Sequence, residues 1–340
     1  MNQFFYDELK CSFTALNKAG IDPALYKEDE IIIVADEHSL GAYLAGFFML
    51  SAKKSHCRIS VVSEGKLRNK KLFDDVKKEF GEGPSLDIYE SLDKYKSEMK
   101  KDRKAHVYYI ANLQLNEYAD EAFVSQKKSN LNAWLDLSCE NSFSFVFLPV
   151  FNFARPFEEG IISVSEREIE AVAKADTEFS NGRLLMEMEE ICREHLRNKN
   201  IPMNIVRFDN IFGPMVEDTT KLGIGSIIND FALNNKITFK KSDSITHYTG
   251  CYIREAVTAV YTVSIIGKNG NIYNAANYNF TLHDIKDAIY ASFISKTPVA
   301  VFEDDMMDGW VIQKNYECLA NLKIQTLGWT QETPLTEAVY

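Results

Sequence analysis

Asp176, Glu178 and Arg183 stand close together in the chain and are of types that do chemistry. A carboxylate held within hydrogen-bond reach of a substrate can act as a general acid or base. Arginine stays cationic at any working pH and can clamp a phosphate or carboxylate through two parallel hydrogen bonds. The same carboxylates also suit the first turn of a helix, where the macrodipole favours negative charge. Asn152 is the polar side chain of an otherwise apolar stretch, Phe147 to Ala154, and can bond a sugar hydroxyl or cap a strand end. His38, His56, His106, His195 and His283 show no metal-ligand spacing. Cys11, Cys57, Cys139, Cys192, Cys251 and Cys318 contain no Cys-x-x-Cys pair. They read as the reduced thiols of a cytoplasmic protein.

The elements that must position these groups alternate. Glu30-Ile-Ile-Ile-Val34 is a short apolar run of the kind that forms a central parallel strand. Arg58–Val62, Leu86–Tyr89, His106–Ala111 and Ser144–Leu148 repeat the pattern. Helices are predicted over Leu40–Lys53, Leu67–Phe80, Glu117–Glu140 and Thr177–Asn198. Strand–helix alternation predicts an α/β fold, a Rossmann-like doubly wound parallel sheet. Residues 1–27 read as an amphipathic helical lead-in closed by the turn at Gly20–Pro23, and 28–200 as the Rossmann-like domain. Strand Met203–Phe208 returns to the sheet, and 209–340 form mainly a smaller C-terminal α/β lobe of the substrate type, interleaved with the first domain. Further helices are predicted at Ile224–Leu233, Arg254–Ile266 and Leu282–Phe293, with strands at Ile237–Phe239 and Asn271–Ala275.

With 340 residues, 46% of them hydrophobic and 26% charged, the chain has the composition of an ordinary globular protein. A net charge of −11 opposes binding to a nucleic-acid backbone, and the basic run Lys66–Lys71 reads as a solvated face. No apolar run approaches the ~20 residues of a membrane span, and Met1–Glu8 lacks a signal peptide's basic start.

The turn after the first strand reads Val34-Ala-Asp-Glu-His-Ser-Leu-Gly41. A dinucleotide turn needs three glycines so that the chain can bend tightly and bring backbone amides against a pyrophosphate. Those slots hold Ala35, His38 and Gly41, and the surviving glycine is the one that lets helix and strand pack closely. Asp36 and Glu37 add like charge beside any phosphate, and their repulsion costs on the order of kcal/mol. The acid that would hold a ribose after the second strand falls at Ser63 or Glu64, and Glu64 can accept hydroxyl groups.

Several segments resemble, in order, the extended short-chain dehydrogenase/reductases, the family of NAD-dependent nucleotide-sugar epimerases, dehydratases and decarboxylases. Ile205–Pro214 resembles the Arg-x-x-Asn-x-Tyr-Gly-Pro signature through Arg207, Asn210, Gly213 and Pro214. Cys251–Ala256 resembles the Tyr-Ile/Val-x-Asp-x-Ala opening of a late helix, and Gly270–Ala275 the Gly-x-x-Tyr-Asn-Val/Ile strand. Leu322–Trp329 with Thr333–Glu337 resembles the closing Leu-Gly-Trp and Pro-Leu-x-Glu tail, and Asn130 falls on the helix that carries a family Asn. The likeness runs from about residue 28 to the end.

The resemblance implies a Tyr-x-x-x-Lys pair on the long helix, the Tyr transferring the proton and the Lys lowering its pKa and binding the nicotinamide ribose. Phe179 and Arg183 hold those slots, in a register supported by Glu187. Pro149 or Val150 stands where the catalytic Ser/Thr is implied. The phosphate-binding Arg slot holds Tyr248, beside His247, which can donate one hydrogen bond. Asn210 matches the Asn that contacts the sugar-nucleotide diphosphate, while Arg207 reads as an ion-pair partner.

The expectation is a catalytically impaired homologue acting as a binding or regulatory subunit, a homodimer or a heterodimer with an active homologue. It would need no cofactor, and would take NAD only if the ancestral site still binds. Helices 117–140 and 177–198 would supply the dimer surface, although Leu184–Met188 fits an internal core equally well. The alternative is an active nucleotide-sugar enzyme with altered groups, using Arg183 as anion holder and Asp176 or Glu178 as acid/base.

Overall fold

Every residue of the run Glu30–Val34 is buried, as a strand covered on both faces requires. The computed structural model describes residues 3–35, 39–64, 70–79, 86–100, 103–112, 120–151, 163–166, 180–199, 201–216, 227–228, 231, 233–234, 236–240, 247–276, 278–293, 299–303 and 318–339.

The first half comprises α1 (Gln3–Lys18), β1 (Glu30–Val34), α2 (Ser39–Ser55), β2 (Arg58–Val62), α3 (Lys70–Glu79), β3 (Leu86–Tyr89) and α4 (Leu92–Glu98). Then come β4 (Ala105–Asn112), α5 (Glu121–Asn141), β5 (Ser144–Phe151), β6 (Ser163–Val164) and α6 (Ser180–Lys199). The remainder contains β7 (Met203–Asp209), β8 (Ile211–Phe212), β9 (Lys236–Lys240), β10 (His247–Tyr252), α7 (Ile253–Ile266), β11 (Ile272–Ala275) and β12 (Tyr278–Thr281). It closes with α8 (Leu282–Ser292), β13 (Val299–Glu303), β14 (Cys318–Leu319), α9 (Leu322–Gln325) and α10 (Leu335–Ala338).

Seven parallel strands run in the order β3-β2-β1-β4-β5-β7-β11. Strand alternation divides the core into two. Ile31 and Ile33 face a cluster with α1, α2 and α7, whereas Ile32 and Val34 face one with α5 and α6. β12, β10 and β8 form a separate small sheet, in which β10 runs antiparallel to β12 and parallel to β8.

α1 carries Phe5, Leu9, Ser12 and Leu16 on one buried face, at helical spacing, and packs across α2 and α7. That cover explains α2, whose residues from Ser39 to Met49 are all buried. No helix among the described residues is long and apolar enough to cross a membrane.

Candidate functional site

The turn between β1 and α2 begins at Ala35, whose N–H donates to Val62 O at 3.1 Å and whose side chain is fully buried. His38, with Asp36 and Glu37, lies outside the described residues. A Cβ placed on Gly41 would stand 2.7 Å from the Ala35 methyl, with Ile110 and Phe73 at 3.4 Å. Gly41 is therefore required by helix–strand packing in the protein alone. Gly41→Ala is expected to destabilise the fold by about 2 kcal/mol in urea titration, with or without nucleotide present, because a methyl rooted on the backbone cannot swing aside. The first turn of α2 is tied to the segment after β8. Ser39 Oγ donates to Met215 O at 2.8 Å, and Tyr43 OH donates to Pro214 O at 2.6 Å. Gly213, at φ 142°, needs the freedom of glycine, and an added Cβ would come within 2.6 Å of Ile253.

At the end of β2 the carboxylate of Glu64 points into the protein, its side chain only 6% exposed. Tyr109 OH, from β4, donates to Glu64 Oε2 at 2.8 Å. Asn130, on α5, hydrogen-bonds the same carboxylate, while its own Oδ1 accepts from Gln126 at 2.6 Å. Lys127 Nζ lies 3.8 Å from Glu64 Oε2. Burial pushes the Glu64 carboxyl up to about 7, against the hydrogen bonds of Tyr109 and Asn130. Burial also pushes the Lys127 ammonium down to about 8. Beside this group lies a cavity of about 370 Å³ lined by Ser63, Glu64, Glu90, Asp93, Lys96 and Asn130 among others. With three carboxylates against one ammonium in that lining, it suits hydroxyls or amines better than phosphates.

Pro149 and Val150 lie on β5, opposite Ala111 and Asn112 of β4, and both are buried. Pro149 brings neither a hydroxyl nor an N–H, and the β5–β7 pairing skips from Phe147 to Val150. Phe179 lies outside the described residues, as do Asn152, Asp176 and Glu178. Arg183, in the first turn of α6, is 57% exposed and donates to Glu187 Oε1 at 3.0 Å. Lys128 of α5 meets the other Glu187 oxygen at 2.5 Å. Arg183 is thus one member of a surface ion cluster. Leu184, Leu185 and Met188 are buried in the chain's own core, so that stretch offers a partner little apolar surface.

Arg207 is fully buried and donates from Nε and Nη2 to the two oxygens of Glu189 at 2.7 and 2.6 Å, and from Nη1 to Glu166 O at 2.9 Å. Glu166 Oε1 accepts from Asn274 N of β11, so the group pins α6, β7, β11 and the 163–166 segment together. Asn210 adopts φ 43° between β7 and β8, and its amide donates to Asp209 Oδ1 at 3.0 Å and Thr249 O at 3.3 Å. Tyr248 is on β10, paired with Phe280 of β12.

Sequence reasoning overlooked Glu189, Tyr109 and Lys127. Glu189 left a signal: it follows Leu185 by four positions, on the apolar stripe of α6, where an acid demands a buried partner. Tyr109 and Lys127 left none, because their meeting with Glu64 depends on β4 and α5 lying together. Among the described residues no cluster of His, Cys, Asp or Glu is placed to hold a metal ion, and Cys11, Cys57, Cys139, Cys192 and Cys251 are free thiols.

A parallel sheet of strand order β3-β2-β1-β4-β5-β7-β11 with helices on both faces is a Rossmann-like fold, shared with NAD-bound nucleotide-sugar epimerases and dehydratases of known structure. Among solved structures, the UDP-glucuronic acid 4-epimerase of Bacillus cereus, in complex with UDP-glucuronic acid and NAD, is similar with a TM-score of 0.68 at 15% identity, over 91% of this chain and 96% of that one. A dTDP-glucose 4,6-dehydratase of Streptomyces venezuelae, with NAD bound, gives 0.69 at 12% identity over 91% and 95%. The UDP-glucose 4-epimerase of Thermotoga maritima gives 0.67 at 13% over 91% and 96%. No protein-family model and no curated protein sequence matches the chain.

Proposed function

We propose that this chain is a catalytically impaired homologue of the NAD-dependent nucleotide-sugar epimerases and dehydratases. In this reading it works as a binding or regulatory subunit and needs no cofactor of its own. Residues 28–200, with strand 203–208 returning to the sheet, form the Rossmann-like part, and 209–340 mainly the substrate-type lobe, interleaved with it.

The observation that carries the reading is the commitment of Glu64. The acid best placed for a dinucleotide ribose is turned inward onto Tyr109, Asn130 and Lys127. Drawing it away toward a ribose would strip the buried Tyr109 phenol of its acceptor. The replacements at Ala35, His38, Pro149/Val150, Phe179, Arg183 and Tyr248 point the same way. These residues do not fit a dinucleotide engaged for hydride transfer, and no proton-transferring phenol stands in the Phe179 slot.

A nucleotide sugar is the ligand class proposed for the retained Asn210 and Gly213–Pro214 segment. A partner docking on α5 and α6 would meet the ion pairs Lys128–Glu187–Arg183, Arg197–Glu190 and Lys199–Asp136. Charge complementarity would then select it, which favours an active homologue over apolar self-association.

The test is the double substitution Phe179→Tyr with Arg183→Lys, assayed by sugar-nucleotide conversion across UDP-, CDP- and GDP-sugars with added NAD. No turnover is expected in either protein, because the glycine turn and the hydroxyl at Pro149/Val150 remain missing. Turnover by the unaltered chain would establish the altered-enzyme alternative instead.

A further inference from the structure

α1 lies outside the family likeness, which begins at about residue 28, and 91% of this chain suffices to span 96% of the Bacillus cereus epimerase. Yet α1 is not a loose appendage. Phe5 meets the ring of Tyr43 at 4.4 Å and Phe13 meets Phe47 at 4.9 Å, both on α2. Gly46 leaves the room this requires, since a Cβ there would stand 2.8 Å from Leu9 and 3.2 Å from Phe5.

The polar side of the same helix reaches the C-terminal half. Glu8, 11% exposed at its side chain, accepts from Arg254 Nε at 2.8 Å, from Arg254 Nη2 at 3.0 Å and from Tyr252 OH at 3.0 Å. Arg254 in turn donates to Thr333 Oγ1 at 3.1 Å and Glu337 Oε1 at 3.0 Å, in the closing tail. Tyr252 packs against Gly213, the residue before Pro214, and Pro214 O is bound by Tyr43. The contacts close a circuit from α1 through Tyr252 to residues 213–215, and back through Tyr43 to α1.

We propose that α1 is an internal strap that clasps the 213–216 segment and the C-terminal tail onto the first turn of α2, bracing the chain where a dinucleotide would otherwise brace it. The inference rests on the cofactor-free reading given above. Glu8 is its pivot, because it is the α1 side chain that engages both Tyr252 and Arg254. Once that carboxylate is lost, Arg254 and Tyr252 are left under-satisfied in a mostly buried place, which costs more than the loss of an apolar contact.

Hydrogen exchange read by mass spectrometry on the full chain tests this. In Glu8→Gln, exchange across 213–216 and 333–338 is expected to accelerate about tenfold or more, while β1, β4 and β5 keep their protection. Tyr252→Phe, which removes one hydrogen bond and little packing, should give a smaller acceleration in the same segments and serves if the first variant fails to fold. Unchanged exchange there, or an equal rise throughout the sheet, would overturn the strap. The cofactor-free reading fails separately, by NAD raising the unfolding midpoint of the unaltered chain.

Discussion

Arg207→Met is expected to destabilise the fold by about 3–5 kcal/mol in urea denaturation. The guanidinium and Glu189 are both fully buried and bonded at 2.6 and 2.7 Å. Removing Arg207 leaves the buried Glu189 carboxylate with only Arg193, at 3.7 Å, and removing Glu189 leaves the buried guanidinium with only the Glu166 carbonyl. Glu189→Gln should fall in the same range, since Gln presents one acceptor to a fork that uses two. The paired change Arg207→Met with Glu189→Leu should recover most of the loss, because a buried ion pair is worth little more than good apolar packing of the same volume. A loss below about 1 kcal/mol for either single change would show that the pair is solvated in solution. The Arg of the family-like signature is then structural: it ties α6 to β7, and through Glu166 to β11.

Glu64→Gln is expected to become more stabilising relative to the unaltered chain as pH rises, the gap widening by about 2.5 kcal/mol between pH 5 and 8. The sign follows from the proton count. Glu64 has a folded pKa raised from 4.5 to about 7, so between those values the folded state binds more protons than the unfolded chain. Stability therefore falls as pH climbs through that window, and a Gln, which cannot ionise, escapes the fall. Lys127 acts in the opposite sense at higher pH. Its folded value is lowered from 10.5 to about 8, so the destabilisation from its burial is present below 8 and relieved above it. Thermal unfolding of both proteins across pH 5–9 checks the pair. A gap that does not change with pH would mean that Glu64 is solvated, and hence free to meet a ligand hydroxyl.

Much of this architecture is legible in the sequence. β1 and β2 are apolar runs bounded by polar turns, and nothing else suits a strand covered on both faces. α4 escapes because seven residues, Leu92 to Glu98, are too few to show a period, and only the Ser91 cap marks them. β10 and β12 escape as well, since His247-Tyr-Thr-Gly250 and Tyr278-Asn-Phe-Thr281 mix polar and small residues that read as loop. At the site, the substituted slots are visible because their neighbours keep register with known motifs. What the substitutes do is not visible in that way. Arg183 turns out to serve Glu187 and Lys128, and Glu64 serves Tyr109 and Asn130. These partners come from other elements, and only the packing of sheet on helix brings them within reach.

Calorimetric titration of the purified chain with NAD and NADH reaches the central claim most directly. The account predicts no heat of binding beyond dilution with either nucleotide, because Ala35, Glu64 and the carboxylates at 36–37 all oppose the dinucleotide. Saturable binding of either one, at micromolar affinity and in a single-site ratio, would contradict it and return the chain to the working members of its fold.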